Sequence, residues 1–118
     1  MCGIAGIVTW KTGGEITRQI EHMISPLAHR GPDDQGIWTD EMCGVALGHR
    51  RLSILDLSPH GHQPMLSPSG RYVVAFNGEI YNFIQLRHEL AKEGRVFEWK
   101  GHSDTEVLVA ALEAWGLK

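Results

Sequence analysis

The sequence predicts a mixed domain of the α+β class, because short apolar runs and longer amphipathic segments occur along one short chain. The runs are bounded by Gly, Pro, Asp or Ser, which is typical of strands. They lie at residues 4–10, 37–38, 45–47, 72–76 and 96–99. With 118 residues, the chain has the size of one small domain, or of part of one.

The first two amphipathic segments each predict a helix with one apolar face. Pro26 predicts that the first helix ends near Ser25, because proline disfavours helical backbone in the residue before it. Its apolar residues are Ile16, Ile20, Met23, Ile24 and Leu27. The second helix begins after Asn82, and Gly94 provides a left-handed stop. Its apolar residues are Phe83, Leu86 and Leu90.

The third predicted helix is marked by its first turn. Ser103 and Glu106 have the spacing of a capping box, in which each side chain bonds the other residue's backbone N–H. The apolar stripe that follows consists of Val107, Leu108, Ala111, Leu112 and Trp115, before Gly116. The proline-containing stretch 58–69 is predicted to be a loop, and a loop of that length usually has a function.

Composition argues against several classes of function. The chain has 11 Lys and Arg against 14 Asp and Glu, a net charge of −3, so no overall field attracts nucleic acid or an anionic membrane. No apolar run approaches the roughly 18 residues of a membrane helix, and the N-terminus lacks a signal-peptide pattern. Two cysteines, Cys2 and Cys43, are too few for a disulfide framework, and Cys43 is interpreted as structural. We expect a cytoplasmic protein that acts on a small molecule.

Cys2 is the most informative residue, because removal of Met1 would put a thiol and a free α-amine on one residue. A thiol becomes a strong nucleophile when a base takes its proton, and an α-amine with a reference pKa of about 7.7–8.0 is a usable base. Cys2 is therefore a candidate catalytic nucleophile. The alternative is a chance cysteine at a frayed terminus.

Two further segments carry basic residues. The segment 29–36 combines His29 and Arg30 with acids and glycines around Pro32, a composition that also fits a surface turn with a salt bridge. Arg51 follows a predicted strand, where a guanidinium can hold a carboxylate through two parallel hydrogen bonds. The alternative for Arg50 and Arg51 is that both are solvated.

Asn77 and Gly78 follow another predicted strand. An Asn amide and a Gly N–H are both donors that can point at one oxygen, so the pair is a candidate oxyanion hole, although Asn-Gly is also a common hairpin turn. Asp104 precedes the third helix. It can act as a helix cap or hold a substrate ammonium group.

No metal or nucleotide site is predicted within the chain. His49, His60 and His62 lie near one another in sequence, but no acidic or thiolate partner stands at ligand spacing. The chain contains neither a G-x-G-x-x-G motif nor a phosphate loop. We therefore expect no cofactor in this segment.

The order and spacing of five segments resemble the N-terminal glutaminase domain of N-terminal-nucleophile amidotransferases, and within that superfamily asparagine synthetase. The segments are 2–6, 29–33, 51–56, 77–82 and 103–106. The Pro-Asp at 32–33 and the Arg-Leu-Ser-Ile at 51–54 favour the asparagine synthetase type over the aminosugar and purine relatives. The resemblance implies the four-layer αββα sandwich of N-terminal-nucleophile hydrolases, of which this chain is the N-terminal part.

The resemblance also implies a role for each matching residue. Cys2 is the nucleophile, and Asn77 and Gly78 form the oxyanion hole. Glutamine is held by Arg51 on its α-carboxylate, by Glu79 and Asp104 on its α-amine, and by backbone at Leu52 and Ile54. These residue types suit a zwitterion, which needs a cation at one end and carboxylates at the other.

The implied partner is a C-terminal synthetase domain, absent from this chain, in which ATP and Mg²⁺ activate aspartate for attack by ammonia. Two alternatives remain: a sister enzyme that gives ammonia to another acceptor, such as a sugar acid in polysaccharide synthesis, and a non-catalytic domain that keeps only the fold. The oligomeric state, including a homodimer, is left open by the sequence.

Residues 1–118 are expected to be only part of an amidotransferase domain. On that expectation the isolated piece associates or is poorly soluble and shows little glutaminase activity, because strand edges stay unpaired and an apolar face stays uncovered. A retained Met1 would also abolish activity, since the α-amine of Cys2 would then lie in a peptide bond.

Overall fold

A computed structural model describes residues 1–11, 14–53 and 58–118, which form parts of two compact units. The first unit comprises Met1–Ser53, His62–Pro64 and Ala75–Asn77. The second comprises Ile54–Gly61, Met65–Val74 and Gly78–Lys118.

The first unit is built on an antiparallel sheet of three strands in the order β1-β3-β2. The strands are β1 (Gly3–Val8), β2 (Asp34–Asp40) and β3 (Val45–Arg51). Backbone pairing confirms the strands predicted around 4–10, 37–38 and 45–47 and sets their ends. In particular, β3 extends to Arg51, because Arg51 still pairs with Asp34 of β2.

Helix α1 (Ile16–Ile24) packs on one face of this sheet. Its Ile16 and Ile20 form a buried cluster with Ala46 of β3. A 3₁₀ turn, Ser25–His29, continues it with Pro26 in its first turn, which confirms the predicted end of α1 near Ser25. Met23 was predicted to belong to the apolar face, but it is 43% exposed. The buried residues of α1 recur every fourth position, at 16, 20 and 24, and Met23 lies beside that stripe.

The second unit contains a two-stranded ribbon and two helices, α2 and α3, among its described residues. The ribbon pairs β4 (Met65–Leu66) with β5 (Val73–Val74), and the helices are α2 (Phe83–Lys92) and α3 (Asp104–Trp115). Leu90, Val107 and Ala110 form the buried centre of its core. Gly94, at φ +74°, lies just beyond α2 and confirms the predicted left-handed stop.

Three predictions for the second half of the chain need correction. The run at 96–99 is not a strand: Phe97 and Trp99 pack against the helical core, and their alternation with exposed neighbours reflects one-sided burial. The run at 72–76 is a strand only at Val73–Val74. The predicted loop at 58–69 contains β4 and a 3₁₀ turn at Pro59–Gly61.

Only one of the two hydrogen bonds of the predicted capping box forms at the start of α3. Ser103 Oγ accepts a hydrogen bond from the Glu106 N–H at 3.2 Å, as expected for the N-cap residue. The Glu106 carboxylate accepts instead from the N–H groups of Lys100 and Gly101, at 2.5 and 3.0 Å. Glu106 therefore ties the preceding turn to the helix.

The buried face of α3 also differs from the predicted stripe. Of the five apolar residues predicted, only Val107 is fully buried, and Trp115 is 38% exposed. Val109 and Ala110 are buried as well, so burial is spread around the helix and not confined to one stripe.

This mixture of small sheets and helices is compatible with the predicted α+β class. Within the described ranges, every helix is too short or too polar to cross a bilayer.

Gly31 generates a prediction about stability. A Cβ at this position would overlap the Arg50 carbonyl and lie 2.6 Å from the Arg51 N, and backbone atoms cannot move aside cheaply. We expect Gly31→Ala to lower the free energy of unfolding by about 1–3 kcal/mol, measured by thermal or urea unfolding of the intact protein. Gly6→Ala in β1 is the control, because its nearest atoms lie at 3.7 Å. Equal stability of the two variants would contradict the steric argument.

Candidate active site

The Cys2 sulfur lies at the end of β3, in contact with the backbone of Leu52. The Leu52 N–H donates to Sγ at 3.3 Å, and the thiol faces the Leu52 carbonyl oxygen at 3.7 Å. The Cys2 carbonyl accepts from Arg30 Nε at 3.3 Å. The residue predicted as nucleophile is therefore half-buried and anchored from two sides, unlike a frayed terminus.

Arg50 and Arg51 have different environments because they are adjacent in a strand and point to opposite faces. Arg50 donates from Nε to the Gly31 carbonyl at 3.1 Å and from Nη1 to Gln35 Oε1 at 2.5 Å. Arg51 is only 7% exposed and lies on the same side of β3 as His49. The alternative that both arginines are solvated is wrong for Arg51.

The segment 29–36 holds the site together through backbone contacts. Beyond the bond from Arg30 to Cys2, the Asp33 N–H donates to the Arg51 carbonyl at 3.0 Å, and the Asp33 carboxylate accepts from the Ser53 N–H at 2.8 Å. These bonds bracket Leu52, which contacts the sulfur. The segment is therefore more than a surface turn: it positions both Cys2 and the end of β3.

His49 and Gln63 were not predicted as site residues. His49 is fully buried, and its Nε2 lies 3.0 Å from the Phe76 carbonyl oxygen. Gln63 is 7% exposed, and its Oε1 accepts from the Phe76 N–H at 2.6 Å. Phe76 directly precedes Asn77. The position of His49 at alternation spacing from Arg51 in one strand was the only signal in the sequence.

The protonation state of His49 follows from its surroundings. Burial lowers the pKa of His49 below its ordinary 6.5; the Phe76 carbonyl opposes this effect and the Arg51 guanidinium adds to it. The neutral ring must carry its proton on Nε2, because a carbonyl oxygen can only accept. Nδ1 is buried and has no partner among the described residues, which costs about 1–3 kcal/mol.

The histidines considered as metal ligands make other contacts. His62 Nδ1 lies 2.6 Å from Asp34 Oδ2, and His49 contacts Phe76. No group of three His, Cys, Asp or Glu side chains is arranged to hold a metal ion in the ranges 1–11, 14–53 and 58–118.

The remaining predicted residues fall in both units. Asn77 is half-buried in the first unit, and Gly78 and Glu79 are exposed in the second. Asp104, the first residue of α3, is 6% exposed, and its Oδ2 accepts from the Ile80 N–H at 2.8 Å. The carboxylate therefore anchors the backbone beside Glu79, a contact that a helix cap does not require. Ile54 lies outside the described residues.

Cys43 lies in a different environment from Cys2. It is exposed, and its N–H donates to Asp40 Oδ1 at 3.0 Å. A side-chain hydrogen bond with Asp40 and the charge of that carboxylate raise the pKa of the Cys43 thiol. The raised pKa leaves less of the nucleophilic thiolate.

Residues 1–118 match the family model of the glutamine amidotransferase domain. The chain belongs to this family. The resemblance noted from the motifs is thereby confirmed.

Several curated relatives align with nearly the whole chain. Asparagine synthetase [glutamine-hydrolyzing] 1 of Bacillus subtilis is 42% identical over 93% of the chain, and asparagine synthetase [glutamine-hydrolyzing] 3 of the same organism is 39% identical over 98%. Amidase chry2 of Gibberella zeae is 35% identical over 99%. The chain spans only 17–18% of the length of these three relatives.

The lowered pKa of His49 predicts a loss of stability in acid. Below about pH 6.5 the unfolded chain binds a proton at this residue that the folded protein does not yet bind, so acid favours unfolding. In His49→Gln this contribution is absent. We expect the unfolding temperature of the intact protein to fall less for His49→Gln than for wild type between about pH 7.5 and 5.5.

The matched control is His88→Gln, at an exposed position of α2. It should follow the wild-type curve. Parallel curves for wild type and His49→Gln would contradict the assigned pKa shift.

Proposed function

We propose that this chain supplies the glutaminase activity of an asparagine synthetase, with Cys2 as the nucleophile. The observation that carries the proposal is the Cys2 sulfur held by the Leu52 backbone at the end of β3, next to buried Arg51, in a chain of the glutamine amidotransferase domain family. The names of the Bacillus subtilis relatives support the asparagine synthetase type.

The nucleophile requires removal of Met1. Met1 is 75% exposed, which leaves it accessible to an aminopeptidase, and the small residue behind it suits such cleavage. The freed α-amine of Cys2 then takes the thiol proton. The thiolate attacks the side-chain carbonyl carbon of glutamine, and the C=O electrons move onto oxygen.

The tetrahedral oxyanion is stabilised by the Asn77 side-chain amide and the Gly78 N–H. When the intermediate collapses, the C–N bond breaks and the nitrogen leaves as ammonia after taking the proton from the amine of Cys2. Water then adds to the thioester, releases glutamate and restores the thiol.

The ends of glutamine are assigned to groups of opposite charge. Arg51, which the resemblance assigns to the α-carboxylate, is of the residue type that binds a carboxylate through two parallel hydrogen bonds. The resemblance assigns the α-amine to Glu79 and Asp104, and it assigns further contacts with glutamine to the backbone of Leu52 and Ile54. Low exposure of Arg51 and Asp104 supports the roles of these two residues, since charges in water hold a ligand weakly; Glu79 is exposed, and its role rests on the resemblance alone.

The further fate of the ammonia belongs to the longer protein that the relatives indicate. We propose that a C-terminal synthetase domain, with ATP and Mg²⁺, makes an aspartyl adenylate that ammonia converts to asparagine. We propose that the complete amidotransferase domain has the fold of an αββα sandwich. We also propose that the protein acts in the cytoplasm.

Replacement of the nucleophile tests the core of this proposal. In the processed intact protein, Cys2→Ala should abolish glutamine hydrolysis while ammonia-dependent asparagine synthesis persists, because only the ammonia-generating half loses its thiol. A glutamine-like diazo ketone should label the N-terminal peptide in mass spectrometry. Label on Cys43 instead would refute the assignment, and Cys43→Ala is the matched control.

Conservative replacement of the two arginines tests substrate binding. Arg51→Lys should raise the KM for glutamine by at least about tenfold, because an ammonium group cannot reproduce a bidentate contact with a carboxylate. Arg50→Lys should change KM far less, since Arg50 contacts Gly31 and Gln35. Equal effects in steady-state assays would show that the wrong arginine has been assigned.

A further inference from the structure

The two peptide groups that flank Phe76 are each held by a buried side chain. His49 Nε2 donates to the Phe76 carbonyl oxygen at 3.0 Å, and Gln63 Oε1 accepts from the Phe76 N–H at 2.6 Å. His49 is 0% exposed and Gln63 is 7% exposed, so water does not compete for either bond.

These two bonds fix the orientation of the backbone that leads into Asn77. A peptide group is planar, so the Phe76 carbonyl and the Asn77 N–H rotate together, and the bond from His49 sets the orientation of both. The bond from Gln63 sets the preceding plane. β5 ends at Val74, and between described residues the stretch 75–77 makes no backbone-to-backbone hydrogen bond.

His49 is itself firmly placed. It lies in the central strand β3, where it pairs with Ile4 of β1 and with Gly36 of β2. Arg51 is two residues further along the same strand, and Leu52 follows it at the Cys2 sulfur. The bond from His49 therefore fixes the start of Asn77 relative to β3, the strand whose end leads to Leu52 and the Cys2 sulfur.

Packing alone does not explain a histidine at this position. Its Nδ1 is buried and lacks a partner in the described part of the chain, so the imidazole costs more to bury than an aliphatic side chain of similar size. The compensation is the one bond that Nε2 makes to Phe76.

We propose that His49 and Gln63 are positioning residues that hold the Asn77 amide where the oxyanion develops. This inference rests on the glutaminase function proposed above. Asn77 contacts the reacting oxygen, and His49 and Gln63 act through the Phe76 backbone. Loss of either bond should reduce transition-state stabilisation more than substrate binding.

Two amide replacements of His49 separate this role from a general loss of structure. In His49→Gln the side-chain amide reaches the place of Nε2 and can still donate to Phe76, whereas in His49→Asn the shorter amide reaches only the place of Nδ1. In the intact protein without Met1, we expect His49→Asn to lower kcat for glutamine hydrolysis by roughly a hundredfold with little change in KM, as for a small misplacement of a catalytic group. His49→Gln should restore most of the activity.

His88→Asn, at an exposed position in α2, is the matched control and should keep wild-type kcat. Gln63→Met, which removes the acceptor but keeps the length, should lower kcat as His49→Asn does. It carries the test if His49→Asn fails to fold.

Combination with Asn77→Ala gives the second readout. Asn77→Ala alone should lower kcat by roughly a hundredfold to a thousandfold, the usual cost of one oxyanion donor. If His49 and Gln63 act through Asn77, adding His49→Asn or Gln63→Met to Asn77→Ala should lower kcat only slightly further. Fully additive losses would overturn the inference.

Failure of the inference and failure of the proposed function give different results. If Cys2→Ala still hydrolyses glutamine, the proposed function is wrong whatever the His49 variants do. If Cys2→Ala is inactive but folded His49→Asn and Gln63→Met keep wild-type kcat, or change only KM, the inference alone is wrong.

Discussion

The hydrogen-bonded ladder on both edges of β3 is the constraint on which the first unit depends. Pairing with β1 and β2 fixes the register of every residue in β3 and the face of the sheet to which its side chain points. It therefore fixes the burial of His49 and Arg51 on one face and delivers Leu52 to the Cys2 sulfur. On the other face, α1 packs so closely that a Cβ on Gly48 would lie 3.1 Å from Ile20 Cγ1.

Hydrogen bonds from side chains to backbone fix the irregular segments around this ladder. Arg30 holds the Cys2 carbonyl, Asp33 holds the Ser53 N–H, and His49 and Gln63 hold both sides of Phe76. In the second unit Asp104 holds the Ile80 N–H in the same way. Such bonds place backbone groups, and in an amidotransferase several of the groups proposed to bind or activate glutamine are backbone groups.

Local sequence patterns were sufficient to predict features that depend only on the backbone conformation of one element. The end of α1 at Pro26 and the stop of α2 at Gly94 follow from backbone sterics. The run at 96–99 was misread because alternation reports one-sided burial, and a strand also needs a partner for its backbone. The capping box was predicted only in part, because the Glu106 carboxylate accepts from the Lys100 and Gly101 N–H groups, which compete for the same acceptor.

The sequence by itself determined the family and the candidate residues, because reactive residue types in a fixed order identify a chemistry without coordinates. Cys2, Arg51, Asn77 and Asp104 were all named from such motifs. Only the tertiary structure decided that Arg51 and not Arg50 is buried, that Leu52 contacts the Cys2 sulfur, and that His49 and Gln63 hold Phe76. Those outcomes depend on strand facing and on contacts between residues distant in the chain, and neither motif order nor local spacing contains that information.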